Sequence, residues 1–268
     1  MQLWEQLKQS TTHVARVNGQ PKTFMEMFQM YNSTLNNSIV ELKERPKNIQ
    51  GRQKEIELLY AILERPETPV ALLLGLAGVG KTALVEELGK QINSGNYDTE
   101  LNNEYLLLAL RLGSLSALNR SQLQSSLANI LDELYKFETM AQRALNNPNI
   151  RIVLFIDEIH MLITIFGPGT KIGGDVFKDV LARSPVRVIG ATTRREYDST
   201  IIVDKPLSDR FKQVEMTELG PDIVEEILFE WWKKIAPDCP VPSEKIMRRV
   251  IKANAMYRSD SAEPRKSL

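Results

Sequence analysis

Residues 75–82 read GLAGVGKT, with Gly75, Gly78 and Gly80 ahead of a lysine and a threonine. The spacing G-x-x-x-x-G-K-T is built for holding phosphate. Glycines let backbone N–H groups turn inward toward anionic oxygens. A helix that starts just after them points its positive end at the same place. Lys81 then reaches the β- and γ-phosphates, and the Thr82 hydroxyl is a ligand for Mg²⁺. Ala77, Val79 and Ala83 complete the set of loop positions expected against the nucleotide.

Binding a nucleotide is not hydrolysing it. Hydrolysis needs a second acid for the metal and a group that orients or deprotonates water. RIVLFIDE, residues 151–158, offers both. Its apolar run reads as a central strand, and the strand end delivers Asp157 and Glu158 to the carboxyl edge of a sheet, where ligands bind in open α/β folds. Asp157 is the candidate for Mg²⁺, and Glu158 is the candidate general base. His160 follows closely; it can be read as catalytic, but reads rather as a group that packs or hydrogen-bonds near the strand end.

The elements that must position these groups are legible as periodicity. A buried strand is expected over 70–74, directly before the glycines, and a helix after Thr82 that Asn93-Ser94-Gly95 ends. Further strands are expected over 105–112, 150–156, 186–191 and 212–216. Leu123, Leu127, Ile130, Leu131 and Leu134 mark a helix over 121–145, which Asn146-Asn147-Pro148 stops. Strands alternating with helices predict an α/β fold with a parallel sheet flanked by helices. Gly220-Pro221 breaks that rhythm. Helices are expected over 222–235 and 243–256, with another starting at Ala262 as the chain ends. The expected division is a polar leader over 1–48, a nucleotide-binding α/β domain over 49–219 and a small, partial helical domain over 220–268. Within the leader, Phe24, Met25, Met27, Phe28, Met30 and Tyr31 can line an amphipathic helix.

Composition narrows the function. The chain has 268 residues, with 34 Lys+Arg balanced by 34 Asp+Glu. This balance does not call for a nucleic-acid partner, so DNA binding is not expected. One cysteine, Cys239, rules out an intramolecular disulfide, and two histidines, His13 and His160, are too few for a His-based metal site. The polar N-terminus lacks an apolar signal core, and no run of ~18 apolar residues occurs. A cytoplasmic location and no membrane contact are expected.

Several segments together resemble the AAA+ ATPases, and specifically the first ATPase module of the Clp unfoldases and disaggregases. NIQGRQKEI (48–56) is similar to the family segment that packs against adenine, which implies Ile49, Gln50 and Gly51 on the base side. VALLLGLAGVGKTALVEEL and VLFIDEIHML resemble the family's Walker A and Walker B segments. RVIGATTRREYDSTIIVDKPLSDRFKQVEM (187–216) carries the most specific resemblance. It implies that Thr193, or else Thr192, contacts the γ-phosphate or the attacking water. It also implies that Arg210 is an arginine finger acting on a neighbouring subunit's nucleotide.

The resemblance thus implies a P-loop AAA+ module with a partial lid, ATP/ADP and Mg²⁺ as ligands, a ring that is most often a hexamer, and ATP-driven remodelling or unfolding of protein partners, as in a chaperone. A docking peptidase is not specified. Arg265 or Lys266 falls near the family's sensor-2 position, and 166–174 matches a glycine-rich loop after Walker B. Two departures stand out. Asp209 replaces the first of two family arginines, and 112–131 lacks the family's pore-loop aromatic, for which Leu118 and Arg120 are poor substitutes. The alternative is a nucleotide-dependent switch or assembly scaffold, or a DNA-associated loader, that binds a partner without threading it.

Overall fold

The computed structural model describes residues 3–35, 37–43, 49–67, 69–94, 103–115, 120–165, 186–257, 262–265 and 267. Helices α1 (Leu3–Gln9) and α2 (Phe24–Thr34) bracket a hairpin of β1 (His13–Val17) and β2 (Gln20–Thr23), and β3 (Ile39–Glu41) follows. Then come α3 (Gln53–Leu63), β4 (Val70–Leu74), α4 (Lys81–Asn93), β5 (Glu104–Leu110), α5 (Arg120–Leu145), β6 (Ile150–Ile156) and α6 (His160–Ile165). β7 (Arg187–Thr192), β8 (Lys212–Glu215), α7 (Pro221–Ile235) and α8 (Glu244–Tyr257) complete the longer elements.

Six strands form the main sheet in the order β3-β5-β6-β7-β4-β8. All neighbours are parallel except β3, which pairs antiparallel with β5. The apolar runs explain the burial, because a parallel strand covered on both faces needs apolar side chains at every position. In β4, Val70, Leu72 and Leu74 enter one core cluster while Ala71 and Leu73 enter the other. β6 divides the same way, with Ile152 and Leu154 on one face and Val153 and Phe155 on the opposite one. α3 and α4 cover one face; α5 and the N-terminal elements cover the other.

The N-terminal residues are more structured than their polar composition suggests. Leu3, Trp4, Leu7, Phe24 and Phe28 are buried in the same core as α5 and β6. Trp4 meets Phe24 and Phe28, and those two meet Phe137 of α5, in a ring cluster with centroid separations of 5.1–6.3 Å. Each such pair adds roughly 0.5–1.5 kcal/mol beyond burial. Thr23 and Glu26 form a reciprocal capping box that starts α2. Residues 3–41 of the expected leader therefore supply core side chains and an edge strand to the sheet.

The strands expected beyond 49 lie where the sequence suggests, within a residue or two. The helices α4, α5, α7 and α8 do as well. α7 and α8 pack through a small cluster of their own, Val224, Leu228, Met247 and Ile251. The helix expected to start at Ala262 is absent among the described residues: 263–265 form a turn, and Ala262 is fully buried. Of the expected loops, 166–174 lies outside the described residues. So do 116–119, which include Leu118, and Lys266. No described helix is long and apolar enough to cross a membrane.

Candidate functional site

The strand order β6-β7-β4 brings the chemical segments to one edge of the sheet. GLAGVGKT leaves the carboxyl end of β4, Asp157 and Glu158 leave β6, and Thr192 and Thr193 leave β7 between them. Gly80 caps the N-terminus of α4 with φ +100°, and Gly78 turns the loop with φ +85°. Both angles are ones that residues with a Cβ adopt at a cost.

Lys81 is 8% exposed, and its Nζ donates to the carbonyls of Gly75 at 2.9 Å and Leu76 at 3.2 Å. Burial lowers its pKa, and the charges of Asp157, Glu158 and Glu196 work against that shift. The Thr82 hydroxyl lies 3.4 Å from Asp157 Oδ2, so an oxygen from α4 and one from β6 converge on one exposed point. Glu158 stands beside it with φ +53°, a left-handed backbone unusual for glutamate, and its side chain is half exposed.

Thr192 is fully buried, and its hydroxyl donates to Glu196 Oε2 at 2.9 Å. Thr193 is half-buried. Its Oγ1 accepts the Glu196 N–H. His160 Nδ1 lies 3.0 Å from Thr192 Oγ1, so the ring hydrogen-bonds at the strand end.

On the expected base side, the Ile49 N–H donates to the buried Glu87 at 3.2 Å, and Gly51 lies under Ile223 and Leu219. Gln50 borders a groove of about 520 Å³ alongside Phe229 and Arg248. Arg210 is not brought to this edge. It precedes β8, whose Glu215 is level with Leu74 of β4. Four residues of β8 therefore separate it from the loop, roughly 13 Å at 3.3 Å per residue. No carboxylate among the described residues pairs with it.

Three features support the loop, and the first two were missed in the sequence. Arg52, 4% exposed, donates to Glu55, to the Val79 carbonyl inside the loop at 3.1 Å and to the Thr217 carbonyl at 2.8 Å. Glu87 is fully buried and accepts from Ile49 and Gln91, tying α4 to the base-side segment. A charge among Leu84, Val85 and Leu88 on a core-facing helix was the available signal. The third feature is the C-terminal turn. The Ala262 N–H donates to the Ala77 carbonyl at 2.8 Å, and a Cβ on Gly78 would lie 2.5 Å from Arg265 Cβ. Arg265, one of the two residues that the resemblance put near the sensor-2 position, is thus seated on the phosphate loop.

The fold and the edge just described are those of a P-loop AAA+ ATPase module. Residues 48–164 match the family described as AAA ATPase domain. The chain is 34% identical over 225 residues to an ATP-dependent Clp protease ATP-binding subunit ClpA homolog of Guillardia theta, covering 82% of this chain and 25% of that protein. It is 33% identical over 209 residues to the chaperone protein ClpB of Mycobacterium bovis, covering 76% of this chain and 23% of that one. A solved S. cerevisiae Hsp104-ADP complex superposes with a TM-score of 0.69 at 24% identity, covering 87% of this chain and 39% of that one. An S. cerevisiae Hsp104:casein complex superposes at 0.67 and 25% identity, with the same coverage of 87% and 39%. The chain belongs to the AAA+ ATPases and is homologous to the Clp-type proteins ClpA and ClpB. It spans about a quarter of the length of those relatives.

Proposed function

We propose that this chain binds ATP with Mg²⁺ at the edge of β4 and β6, hydrolyses it, and uses the cycle to remodel a protein partner within a ring, most plainly a hexamer. The observation that carries this reading is the convergence of Thr82 Oγ1 and Asp157 Oδ2, 3.4 Å apart, beside Lys81 and Glu158. Two exposed hard oxygens from different elements suit Mg²⁺. Thr82 and Asp157 would hold it, and when bound it would neutralise phosphate charge.

In this reading residues 49–219 form the nucleotide-binding domain and 220–268 the lid. Gly75, Ala77, Gly78, Val79, Gly80 and Ala83 wrap the phosphates with backbone N–H groups, and Lys81 exchanges its loop carbonyls for phosphate oxygens. Ile49, Gln50 and Gly51 face the base. Glu158 takes the proton of the attacking water, Thr193 donates to the γ-phosphate or that water, and Arg210 serves the next subunit's nucleotide. The distance of Arg210 from its own loop supports action between subunits.

Lys81→Ala is expected to weaken binding of a fluorescent ATP analogue by about 10–100-fold, the loss of a charge-assisted contact. Retained tight binding sinks the assignment. Glu158→Gln is expected to bind ATP while hydrolysis falls by about 10²–10⁴. That variant is also a trap. Many unfolded proteins captured with it, and released when the wild-type protein turns over ATP, support remodelling. One folded partner held only with ATP supports a nucleotide-dependent switch, the second reading, which the missing aromatic in 112–131 favours.

A further inference from the structure

Glu158, His160, Thr192 and Glu196 meet where β6 and β7 end. The Thr192 hydroxyl donates to Glu196 Oε2 at 2.9 Å, and the Thr193 N–H donates to the same oxygen at 2.9 Å. A carboxylate only accepts, so the Thr192 proton is committed to Glu196. His160 Nδ1 is 3.0 Å from that hydroxyl oxygen, so Nδ1 carries the ring hydrogen and donates it. The ring's tautomer is therefore set from the neighbouring strand end. Nδ1 also lies 3.5 Å from Glu158 Oε2 and 3.3 Å from Glu196 Oε2. The His160 side chain is only 15% exposed, whereas that of Glu158 is 50% exposed. The imidazole is thus the fixed partner and the carboxylate the movable one.

We propose that His160 is a positioning residue for hydrolysis. Its ring, fixed by the Nδ1–H bond to Thr192 and through it by the Thr192–Glu196 pair, stands 3.5 Å from Glu158 Oε2, sets where that carboxylate can point, and couples the end of β7 to the acidic pair after β6. The proposal rests on the reading of Glu158 as general base. An error of about 1 Å in the placement of a reacting group costs on the order of 10²-fold in rate. His160→Ala should therefore lower kcat by about 10–100-fold while leaving KM for ATP and ADP affinity within about twofold. His160→Asn places an amide N–H close to the Nδ1 position and should restore most of kcat.

The test compares Glu158→Gln, His160→Ala, His160→Asn and Thr192→Val in the full-length protein, by steady-state hydrolysis, ADP titration and thermal melting. Hydrolysis that survives in Glu158→Gln overturns the general-base reading itself, whatever His160 does. Dead Glu158→Gln beside a wild-type kcat in His160→Ala overturns the positioning role alone. So does a His160→Asn that folds normally but stays as slow as His160→Ala. A measurement independent of activity covers the case of variants that fail to fold. With two histidines in the chain, long-range ¹H–¹⁵N correlation of the imidazoles at mildly alkaline pH separates His160 from His13. The Nδ1–H tautomer in the wild-type protein is expected, and Nε2–H overturns the proposal.

Discussion

At the scale of single residues, the site is held by polar groups that are buried and paired. Arg52 joins the phosphate loop to the connection between β8 and α7 through two backbone carbonyls. Arg52→Met keeps the stem but leaves both carbonyls without that donor, at about 1–3 kcal/mol each where they stay dry. Urea unfolding should register the loss. Glu196 titrates below its ordinary value of 4.5. Burial pushes it up, but hydrogen bonds from the Thr193 backbone, Thr193 and Thr192, together with the His160 charge, outweigh that. Because the folded value lies below the unfolded one, the stabilisation is complete above about 4.5 and fades as pH falls through the folded pKa. The stability gap between the wild-type protein and Glu196→Gln should therefore be wide at neutral pH and narrow in acid. A gap that widens in acid contradicts the assignment.

At the scale of elements, local signals and tertiary packing carry different shares. β4 and β6 are legible because five and seven largely apolar residues in a row leave few other outcomes. α1, the β1–β2 hairpin and β3 are not, because each is short and polar on one side. Their evidence lay in small features: Asn18-Gly19, both with positive φ at the hairpin turn, and the Thr23/Glu26 cap. Thr23→Ala should cost about 1 kcal/mol through the lost cap. Phe137→Ala should cost about 3–5 kcal/mol, since it opens a cavity beside Phe24 and Phe28. Hydrogen exchange should then speed up over residues 3–34 more than over β4. Uniform acceleration throughout would show that the N-terminal elements are not specifically anchored there.

At the scale of the whole molecule, the sheet separates two groups of the proposed site residues. The loop, the acidic pair and the β7 threonines share one edge, while Arg210 lies just ahead of β8, toward the opposite end of the strands. If the finger acts between subunits, Arg210→Ala should lower hydrolysis by about 10²-fold or more in the assembled protein. Mixing Arg210→Ala with Lys81→Ala should recover part of the rate, because an intact loop then meets an intact finger. Absence of recovery, in rings shown to be mixed, places Arg210 outside the chemistry.

The sequence by itself determined the phosphate loop, the acidic pair, the strands that present them and the family they resemble. These depend on contiguous residues, where spacing and hydropathy act directly. The tertiary structure decided what depends on distant ones: Arg52 reaching Val79 and Thr217, Arg265 seated on Gly78, the N-terminal aromatics closing over Phe137, and Thr192 and Glu196 of the β7 end orienting the ring of His160. Each joins groups between about 30 and 190 positions apart, and only the folded sheet brings them within hydrogen-bond or van der Waals reach.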